Sequence, residues 1–482
     1  MQTNLADFIK DTPEGQEAEE ILRNCVHCGF CLATCPTYQL LGDELDSPRG
    51  RIYLMKQVLE GEPVTEKTQL HLDRCLTCRA CETVCPSGVR YGRLVDIGRG
   101  IVEKKVGRDL AARTMRYTLR RVLPNSGIFG SLLKLGQSVR PLLGFMPSGL
   151  RNAVPPAQAA RSPQSYPSAW PPARHARKIL ILEGCVQPAL APNINAAAAR
   201  VLDRLGISLI KAANAGCCGA VAYHLNAQEE GLDYMRRNVD AWWPYIGNES
   251  GIQAMRGKKG GTKGGVKGKE GVAERESGKP DGVEAIVITA SGCGVTVKEY
   301  GHLLRHDPAY AEKAAVISEM ARDISEIVEA EIRTLQPLLD RASDSTGTRG
   351  EMRKLAFHSP CTLQHGMKIR GTVEKILLAA GFELTYVPDA HLCCGSAGTY
   401  SIVQPELSQQ LLANKVAALE SGAPARIATA NIGCLMHVRG GTPLPVDHWI
   451  EILDEKLRQD DEQSHAEQSH AELVPDKAAL SL

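Results

Sequence analysis

The sequence predicts an α-helical N-terminal domain followed by two duplicated α/β lobes, and three observations indicate this fold class. Apolar residues recur with helical periodicity through residues 15–120. The segment that begins at residue 178 is repeated from residue 354, each time with an apolar run, a helix and a Cys-Cys-Gly triplet. A Pro-, Ala- and Ser-rich stretch over residues 152–172 separates the helical part from the repeats and is typical of a linker.

The composition excludes several classes of protein. At 482 residues the chain is too long for one hydrophobic core, so we expect two or three domains. Lys and Arg total 56 against 55 Asp and Glu, a balance without the basic footprint of a protein that binds nucleic acid. The first twenty residues are polar and acidic, unlike a signal peptide, and no stretch approaches the roughly 18–20 apolar residues of a membrane span. We therefore expect a cytoplasmic protein without a nucleic-acid partner.

Sixteen cysteines are many for a chain expected in the cytoplasm. Disulfide frameworks belong to small secreted proteins, whereas a reducing compartment leaves thiols free to bind metal. The cysteines therefore predict metal centres rather than disulfides.

Two local signals refine the prediction for the helical part. Ser47 stands before Pro48, an N-cap residue before a proline at the first helical position, and predicts a helix through residues 51–56. Residues 104–151 then hold ten Lys/Arg against one acidic residue, Asp109. Two interpretations of this basic stretch stay open. It rests on an anionic membrane surface, or it is an interdomain segment that packs on an acidic partner or is simply solvated.

Matching segments predict the two lobes. Residues 178–185 (KILILEGC) and 354–361 (KLAFHSPC) have the composition of buried strands, and each ends in a cysteine. In both copies a helix, a glycine and a second short strand follow, and 32 positions separate that cysteine from the Cys-Cys-Gly. A third strand closes on a further cysteine, over residues 285–293 and 426–434. Strands that alternate with helices predict a small parallel sheet in each lobe.

The copies differ in the length of the last interval, which is 75 positions from Cys218 to Cys293 and 40 from Cys394 to Cys434. A Gly/Lys-rich tract accounts for the difference and is expected to form a disordered surface loop, because it cannot bury a core. The predicted boundaries are 1–103 for the helical domain, 104–172 for the basic segment and linker, 173–345 for the first lobe with its Gly/Lys loop at 247–282, 346–458 for the second lobe, and 459–482 for a disordered tail.

Two cysteine motifs in the helical domain carry the first candidate sites. Each reads Cys-x-x-Cys-x-x-Cys-x-x-x-Cys-Pro, once over residues 25–36 and once over residues 75–86. This spacing is the bacterial pattern for two [4Fe–4S] clusters, in which three thiolates wrap one cluster and the fourth reaches the other. The predicted ligands are Cys25, Cys28, Cys31 and Cys85 for cluster 1, and Cys75, Cys78, Cys81 and Cys35 for cluster 2.

Structural zinc is the alternative for these motifs, since it also uses paired CxxC sequences. Zinc does not require a third cysteine three residues on, so the spacing favours iron–sulfur clusters. The stretch between Cys35 and Cys75 resembles the insertion of the α-helical ferredoxin domain in succinate dehydrogenase-type iron–sulfur subunits. Gly29 and other small neighbours leave backbone N–H groups free to bond cluster sulfur. His27, inside the first motif, is expected at the surface.

Both lobes match the pattern Cys-x31-Cys-Cys-Gly…Cys, which resembles the cysteine-rich CCG domain of heterodisulfide reductases. That resemblance implies a non-cubane [4Fe–4S] cluster. The sequence departs from the family's final CxxC element, because Thr296 and His437 stand where its last cysteine is expected. Four candidate thiolates remain in each lobe: Cys185, Cys217, Cys218 and Cys293 in the first, and Cys361, Cys393, Cys394 and Cys434 in the second.

Three interpretations of these eight cysteines stay open. Thiolates at strand ends can converge on an iron–sulfur or other metal centre in one or both lobes, because parallel sheets bind ligands beyond the carboxyl ends of their strands. Free thiols, or a redox-active Cys-Cys pair, are the alternatives. Three histidines lie near the cysteines of the second lobe in sequence: His365, His391 and His437. They are metal ligands, proton relays, or ordinary core and surface histidines, and these alternatives stay open.

The sequence contains neither a Gly-x-Gly-x-x-Gly turn after a strand nor a phosphate-binding loop. A chain without a flavin or nicotinamide site has no obvious group to take a hydride from an organic substrate. We therefore assign it no catalytic residue and expect a partner to oxidise the substrate.

Two cluster motifs followed by two CCG domains form the layout of iron–sulfur subunits of glycolate oxidase, anaerobic glycerol-3-phosphate dehydrogenase and lactate-utilisation complexes. The segment CVHCGFCLATCPTYQLLGDELDSPRGRIYLMK, residues 25–56, resembles the iron–sulfur subunits of glycolate oxidase (glycolate dehydrogenase) in particular. The resemblance implies an α-helical two-cluster ferredoxin domain followed by two duplicated α/β CCG lobes.

The same resemblance implies a function. The chain is then an electron-transfer subunit that receives electrons from FAD-binding partner subunits, which oxidise glycolate to glyoxylate. It passes these electrons to a quinone or another acceptor, with possible peripheral contact at the inner face of the cytoplasmic membrane. The alternatives are an iron–sulfur subunit of a lactate or glycerol-3-phosphate dehydrogenase complex, a thiol–disulfide enzyme of the heterodisulfide reductase type, and a non-redox zinc scaffold.

Overall fold

A computed structural model describes residues 1–139, 169–247, 282–344 and 354–458. Nearly all of the predicted Gly/Lys loop and most of the predicted linker lie outside these residues. The whole predicted tail lies outside them as well.

The N-terminal part is helical, as the apolar periodicity predicts. Its helices span Pro13–Asn24, Pro36–Leu41, Pro48–Leu59, Glu66–Asp73, Ala80–Thr83, Tyr91–Lys105, Leu110–Val122 and Ser126–Val139, with a 3₁₀ turn over Glu44–Asp46. The predicted cap is confirmed, because the Ser47 hydroxyl accepts a hydrogen bond from the Gly50 N–H at 2.9 Å. The three longest of the first six helices bury a common apolar face that includes Leu22, Met55 and Leu94.

A buried cluster of charges fixes the turn that precedes the third helix. The Asp46 carboxylate is fully buried and pairs with Arg51 at 3.1 Å and with Arg74 at 2.8 Å. Its backbone carbonyl accepts a hydrogen bond from the hydroxyl of Thr37, two residues after Cys35. This ion-pair cluster therefore holds the chain that follows Cys35, the last cysteine of the first motif.

Each lobe contains a four-stranded parallel sheet. The strands are β1 Arg177–Leu182, β2 Ile207–Lys211, β3 Ile286–Ile288 and β4 Ala321–Asp323 in the first lobe, and β5 Lys354–His358, β6 Glu383–Leu384, β7 Arg426–Thr429 and β8 Val446–His448 in the second. The strand order is β2-β1-β3-β4 in one lobe and β6-β5-β7-β8 in the other, so the topology repeats with the sequence. Parallel pairing agrees with the prediction, whereas β4 and β8 were not predicted, because three residues are too few to show a period.

Helices cover the sheets and connect their strands. In the first lobe they span Gln187–Leu190, Asn193–Arg204, Ala220–His224, Gln228–Trp242, Ser291–Lys298, Tyr300–Leu303, Ala311–Met320, Ile324–Ala330 and Ile332–Asp344, with a 3₁₀ turn over Trp243–Tyr245. In the second lobe a π-helical turn, Thr362–Gly366, precedes Thr372–Ala379, Tyr400–Val403, Pro405–Glu420 and Ile432–Arg439, and residues 449–458 are also helical.

The two lobes share one apolar core. Ile179 of the first lobe and Val373 and Trp449 of the second are fully buried members of the same cluster. A buried hydrogen bond at 2.9 Å also crosses between the lobes, from the His448 imidazole to the Thr289 carbonyl. The lobes therefore form one continuous body.

Part of the basic stretch pairs with acidic side chains of the same chain, an arrangement that the sequence did not predict. Arg108 pairs with Asp73 at 2.7 Å and also with Glu103, and Arg120 pairs with Glu230 at 3.4 Å. These arginines are thus neutralised within the chain. In the part of the chain that the structure describes, no helix combines the length and the apolar character needed to cross a membrane.

The buried charge cluster gives a test of stability. We expect Asp46→Ala to lower the free energy of unfolding by about 3–5 kcal/mol, because it leaves the Arg51 guanidinium buried without its carboxylate. Urea unfolding of the full chain, followed by circular dichroism, measures this change. Glu19→Ala, which removes an exposed pair with Arg23, is the control and should cost less than about 1 kcal/mol. Equal small shifts for both variants would contradict the structural role of Asp46.

Candidate iron–sulfur sites

The structure brings the four predicted ligands of cluster 1 together. Cys25, Cys28, Cys31 and Cys85 line one small cavity, which Cys81 of the second set also lines. Burial raises the pKa of the Cys31 thiol to about 11, and the nearby Cys25 and Cys28 sulfur atoms act in the same direction. The fourth cysteine of the second motif thus lies beside the first three of the first motif, as the crossed assignment requires.

The second set converges in the same crossed manner. Burial raises the pKa of the Cys78 thiol well above its usual value, and the neighbouring Cys35 and Cys75 thiols add to the shift. The same holds for Cys81, which has Cys78, Cys75 and Cys35 as its sulfur neighbours. Cys35 therefore contributes to the site of the second motif and not to its own.

The two loops share an unusual backbone conformation. Residues two and four positions after the first cysteine have positive φ in both motifs: +56° at His27 and +86° at Gly29, and +51° at Thr77 and +60° at Arg79. Such turns direct successive N–H groups inward, and the Thr77 N–H lies 3.4 Å from the Cys75 sulfur. From the sequence we expected free backbone N–H groups near Gly29, but not the positive φ angles at the other three positions.

His27 was expected at the surface but is half-buried. Its Nε2 atom is buried without a hydrogen-bond partner in the described structure, and burial lowers the pKa of its imidazole. The left-handed conformation required at this position turns the ring inward beside the cavity of cluster 1.

Polar groups from outside the motifs surround the second set. The Tyr91 hydroxyl donates to the Cys75 sulfur at 3.6 Å, and the Thr37 hydroxyl lies 3.3 Å from the Cys35 sulfur. The buried Arg51 guanidinium is 4.0 Å from the same Cys35 sulfur. Sequence reasoning missed these groups, because nothing in the cysteine spacing indicates which distant residues pack against the loops.

The two candidate sites differ in their surroundings. Cys28 is exposed, and the flanking Val26 and Phe30 side chains are 68% and 65% exposed. The second motif faces inward, since Arg79 forms a bidentate ion pair with Glu299 of the first lobe, at 2.5 and 2.9 Å. The cluster 1 site thus opens to the outside, whereas the cluster 2 site faces the lobes.

In each lobe the four candidate cysteines contact one another in chain order. The contacts run Cys185–Cys217–Cys218–Cys293 in the first lobe and Cys361–Cys393–Cys394–Cys434 in the second. The Cys361 and Cys393 sulfur atoms lie 3.8 Å apart, and every cysteine of the chain is a free thiol. The duplicated topology therefore brings together the residues that the sequence pattern had paired.

Backbone conformation and the lack of space for a side chain explain the glycine of each Cys-Cys-Gly triplet. Gly219 and Gly395 both have φ of +91°, a conformation that strains any residue with a side chain. A Cβ atom at Gly219 would lie 2.5 Å from the Gly231 carbonyl oxygen, and one at Gly395 would lie 2.6 Å from the Ser408 carbonyl oxygen. Each triplet thus packs directly on the backbone of a following helix, which fixes the position of its two thiols.

Two of the three histidines singled out in the second lobe, His365 and His437, make side-chain contacts with protein groups. The His365 ring lies 2.9 Å from the Thr83 hydroxyl on one side and 2.9 Å from the His391 carbonyl on the other. His437 lies 3.2 Å from the Ser408 hydroxyl. A fourth histidine, His358, was missed, although the structure places it next to the cysteines.

One cavity of about 1950 Å³ connects the second motif with both lobes. The cysteines that line it are Cys75, Cys78, Cys185, Cys218, Cys293, Cys361, Cys393 and Cys434. Leu76 packs with Cys361 and Cys393 in a single apolar cluster. The sites of the second motif and of the lobes therefore adjoin a common interior space.

The donor sets fit iron–sulfur clusters. Each set consists of four free thiols that are crowded together, and all but the cluster 1 set are largely buried. Burial and the neighbouring thiols raise the pKa values of Cys31, Cys81 and Cys361 among them. Thiols in such a place ionise readily only when a cationic metal centre balances their charge. Tetrathiolate sets of this kind are the usual ligands of iron–sulfur clusters.

The Tyr91 hydrogen bond gives a test of the second site. We expect Tyr91→Phe to keep the iron content and to lower the reduction potential, because the lost donor no longer stabilises the extra negative charge of the reduced state. A hydrogen bond worth about 0.5–1.5 kcal/mol corresponds to about 20–60 mV for one electron. A redox titration followed by electron paramagnetic resonance measures the shift. Tyr53→Phe, at an exposed position, is the control, and equal potentials for both variants would contradict the assignment.

The triplet glycine gives a second test. Gly371 also has positive φ, +73°, but a Cβ atom there meets nothing within 4 Å, so Gly371→Ala should cost only the strain of about 1–2 kcal/mol. Gly395→Ala should cost about 1–3 kcal/mol more, because its Cβ also overlaps the Ser408 carbonyl. Thermal unfolding of both variants measures the difference. If the Gly395→Ala protein is as stable as the Gly371→Ala protein, the close packing of the triplet on the Ser408 carbonyl does not require a glycine.

Comparisons with known proteins agree with this division of the chain. The family model of the 4Fe-4S dicluster domain matches residues 21–89. The family model of the cysteine-rich CCG domain matches twice, over residues 179–250 and 355–439. The family matches thus fall on the two cysteine motifs and on the two lobes.

Relatives match over nearly the whole chain. The glycolate oxidase iron-sulfur subunit of Escherichia coli (strain K12) is 53% identical over 95% of this chain and 100% of its own length. A probable glycolate oxidase iron-sulfur subunit of Bacillus subtilis (strain 168) is 30% identical over 90% of this chain and 91% of its own length. Lactate utilization protein A of Bacillus licheniformis is 24% identical over 58% of this chain and all of its own length. The chain therefore belongs to the family of glycolate oxidase iron–sulfur subunits.

Proposed function

We propose that this chain is the electron-transfer subunit of a complex that oxidises glycolate to glyoxylate. It binds two [4Fe–4S] clusters, through Cys25, Cys28, Cys31 and Cys85 and through Cys75, Cys78, Cys81 and Cys35. When bound, these clusters supply one-electron transfer, which the protein side chains alone do not provide. The convergence of the two crossed cysteine sets is the observation that carries this proposal.

The environment of the cluster 1 site supports a role in electron transfer with a partner protein. Cys28 is exposed, and the adjacent Val26 and Phe30 present apolar side chains to the outside. Large exposed apolar side chains around a functional group are typical of a protein–protein contact. In this proposal the contact is made with the FAD-binding subunits that oxidise glycolate.

The environment of cluster 2 supports onward transfer toward the lobes. The second motif is held against the first lobe by Arg79 and Glu299 and against the second by the Tyr400 hydroxyl, which donates to the Arg74 carbonyl at 3.1 Å. Leu76 closes the remaining gap next to Cys361. Contacts to both lobes fix the second motif at the common cavity, and we propose that the final acceptor is a quinone or another electron carrier.

The thiol–disulfide alternative is less well supported by the lobes. A catalytic dithiol needs an accessible thiol whose pKa is lowered. The Cys394 thiol is fully buried. Its hydrogen bond with Cys393 lowers its pKa, but the contact with Cys434 and burial outweigh this effect and raise the pKa well above the usual value. These properties suit a metal ligand better than an attacking nucleophile.

The proposal places the protein in the cytoplasm. Arg108, Arg116 and Arg120 of the basic stretch pair with Asp73, Glu103 and Glu230, so these three arginines do not add charge to a contact with the inner face of the membrane, where a quinone acceptor would lie.

Removing one ligand tests the electron-transfer role. We expect Cys28→Ser to lower the iron content below the roughly eight irons of two [4Fe–4S] clusters and to slow reduction of an artificial acceptor. Reduction of the flavin by glycolate in the co-purified complex should continue, because the oxidising site lies on the partner. Ala33→Ser, which adds the same hydroxyl on an exposed position of the same loop, is the control. If the Cys28→Ser protein reduces the acceptor as fast as the wild type does, cluster 1 has no role in electron transfer.

The substrate can be tested in the same complex. We expect glycolate to bleach the visible absorption of the iron–sulfur clusters faster than lactate or glycerol 3-phosphate does, when each is added without oxygen at equal concentration. Faster bleaching by lactate or by glycerol 3-phosphate would contradict the glycolate assignment. It would leave the electron-transfer role intact.

A further inference from the structure

His358 occupies an unusual place in the second lobe. It is the last residue of β5, the strand whose carboxyl end leads to Cys361. One of its ring nitrogens and the sulfur atoms of Cys394 and Cys434 all lie within 4.8 Å of one another, and all three residues are buried. Ligand atoms this close together can reach a single metal ion.

The imidazole has no evident structural task. Its side chain is 2% exposed, yet its Nε2 atom has no hydrogen-bond partner among the described residues. A buried ring nitrogen without a partner costs free energy unless something else binds it. A neutral imidazole nitrogen with no hydrogen-bond partner can donate its lone pair to a metal ion.

Comparison with the first lobe shows that this histidine is specific to the second. Leu182 is the equivalent residue at the end of β1, three positions before Cys185. In the described part of the first lobe, no group of three close metal-ligand side chains corresponds to the one in the second. The duplicated lobes have therefore diverged at a position that faces the cysteines.

The residue that replaces the missing final cysteine does not take over as a ligand. His437 stands at that position, but its Nε2 atom lies 3.2 Å from the Ser408 hydroxyl, which itself bonds to the Gly395 carbonyl. The second lobe thus lacks a fifth thiolate and has an unpartnered imidazole from another strand.

We propose that the second lobe holds an iron centre in which His358, Cys394 and Cys434 ligate the same iron ion. Cys361 and Cys393, whose sulfur atoms are in contact with this set, supply the remaining thiolates. Thiolate and imidazole ligands together suit iron and zinc among the common metals. Iron is favoured here because Cys361 and Cys393 pack beside Cys78, a ligand of the proposed second cluster, and a redox-active iron centre at that place could exchange electrons with it, whereas zinc could not.

This site would differ chemically from an all-thiolate centre. A neutral imidazole leaves the iron with less negative charge than a thiolate does, and replacement of cysteine by histidine raises the reduction potential in iron–sulfur centres. The second lobe is then suited to accept electrons, and the first lobe, with Leu182, is not equivalent to it.

The test uses the full-length chain purified without oxygen, with iron and zinc counted per chain and nitrogen coupling measured by electron–nuclear double resonance. The wild type should carry iron beyond the roughly eight irons of the N-terminal clusters, with coupling from one imidazole nitrogen. His358→Ala should lose at least one iron per chain and that coupling. His358→Cys should keep the iron and lose the coupling.

His448→Ala is the matched control. His448 is also fully buried, but its ring already bonds to the Thr289 carbonyl, so this variant should keep both the iron and the coupling. Unchanged iron and coupling in His358→Ala would overturn the proposal, as would zinc in place of the additional iron. If His358→Ala does not fold, coupling that persists in His358→Cys overturns it equally. None of these variants changes a ligand of the N-terminal clusters. The iron content of those clusters therefore tests the proposed function separately from the His358 site.

Discussion

The whole structure depends on holding buried thiols close enough together to share a metal centre. Crowded thiols in an apolar interior resist ionisation, so each set is stable as thiolates only around a positive charge. The crossed pattern adds a constraint, because Cys35 and Cys85 must each reach the other motif. The helices between the motifs satisfy it by packing around Leu22, Met55 and Leu94, and the buried Asp46 pairs keep Cys35 in place. We therefore propose that cluster binding stabilises the folded N-terminal domain.

The lobes meet the same constraint by a different route. A parallel sheet collects the ends of its strands at one edge, and each lobe has a cysteine after its first, second and third strands there. Gly219 and Gly395 then fix the paired thiols by packing on the backbone of a helix. The lobes share one apolar core, and each contacts the segment of the second motif, through Glu299 with Arg79 and through Tyr400 with Arg74, so both sets of thiols have fixed positions relative to that motif.

Much of this was accessible from the sequence, because spacing encodes it directly. The crossed ligand sets follow from the two cysteine motifs, the parallel sheets follow from the repeated strand and helix pattern, and the Ser47 cap follows from local rules. The short strands β4 and β8 were missed, since three residues show no period. Tyr91, Arg51 and His358 were missed because their roles arise from tertiary packing between distant segments. His358 carried one signal, the polar residue at the end of an otherwise apolar strand where the first lobe has Leu182.

The most direct test of this account is the iron and acid-labile sulfide content of the full chain after strictly oxygen-free purification. The account predicts at least about eight irons and eight sulfides per chain, with the resonance signals of two neighbouring clusters after reduction. A folded, colourless chain that binds no iron under these conditions would contradict it.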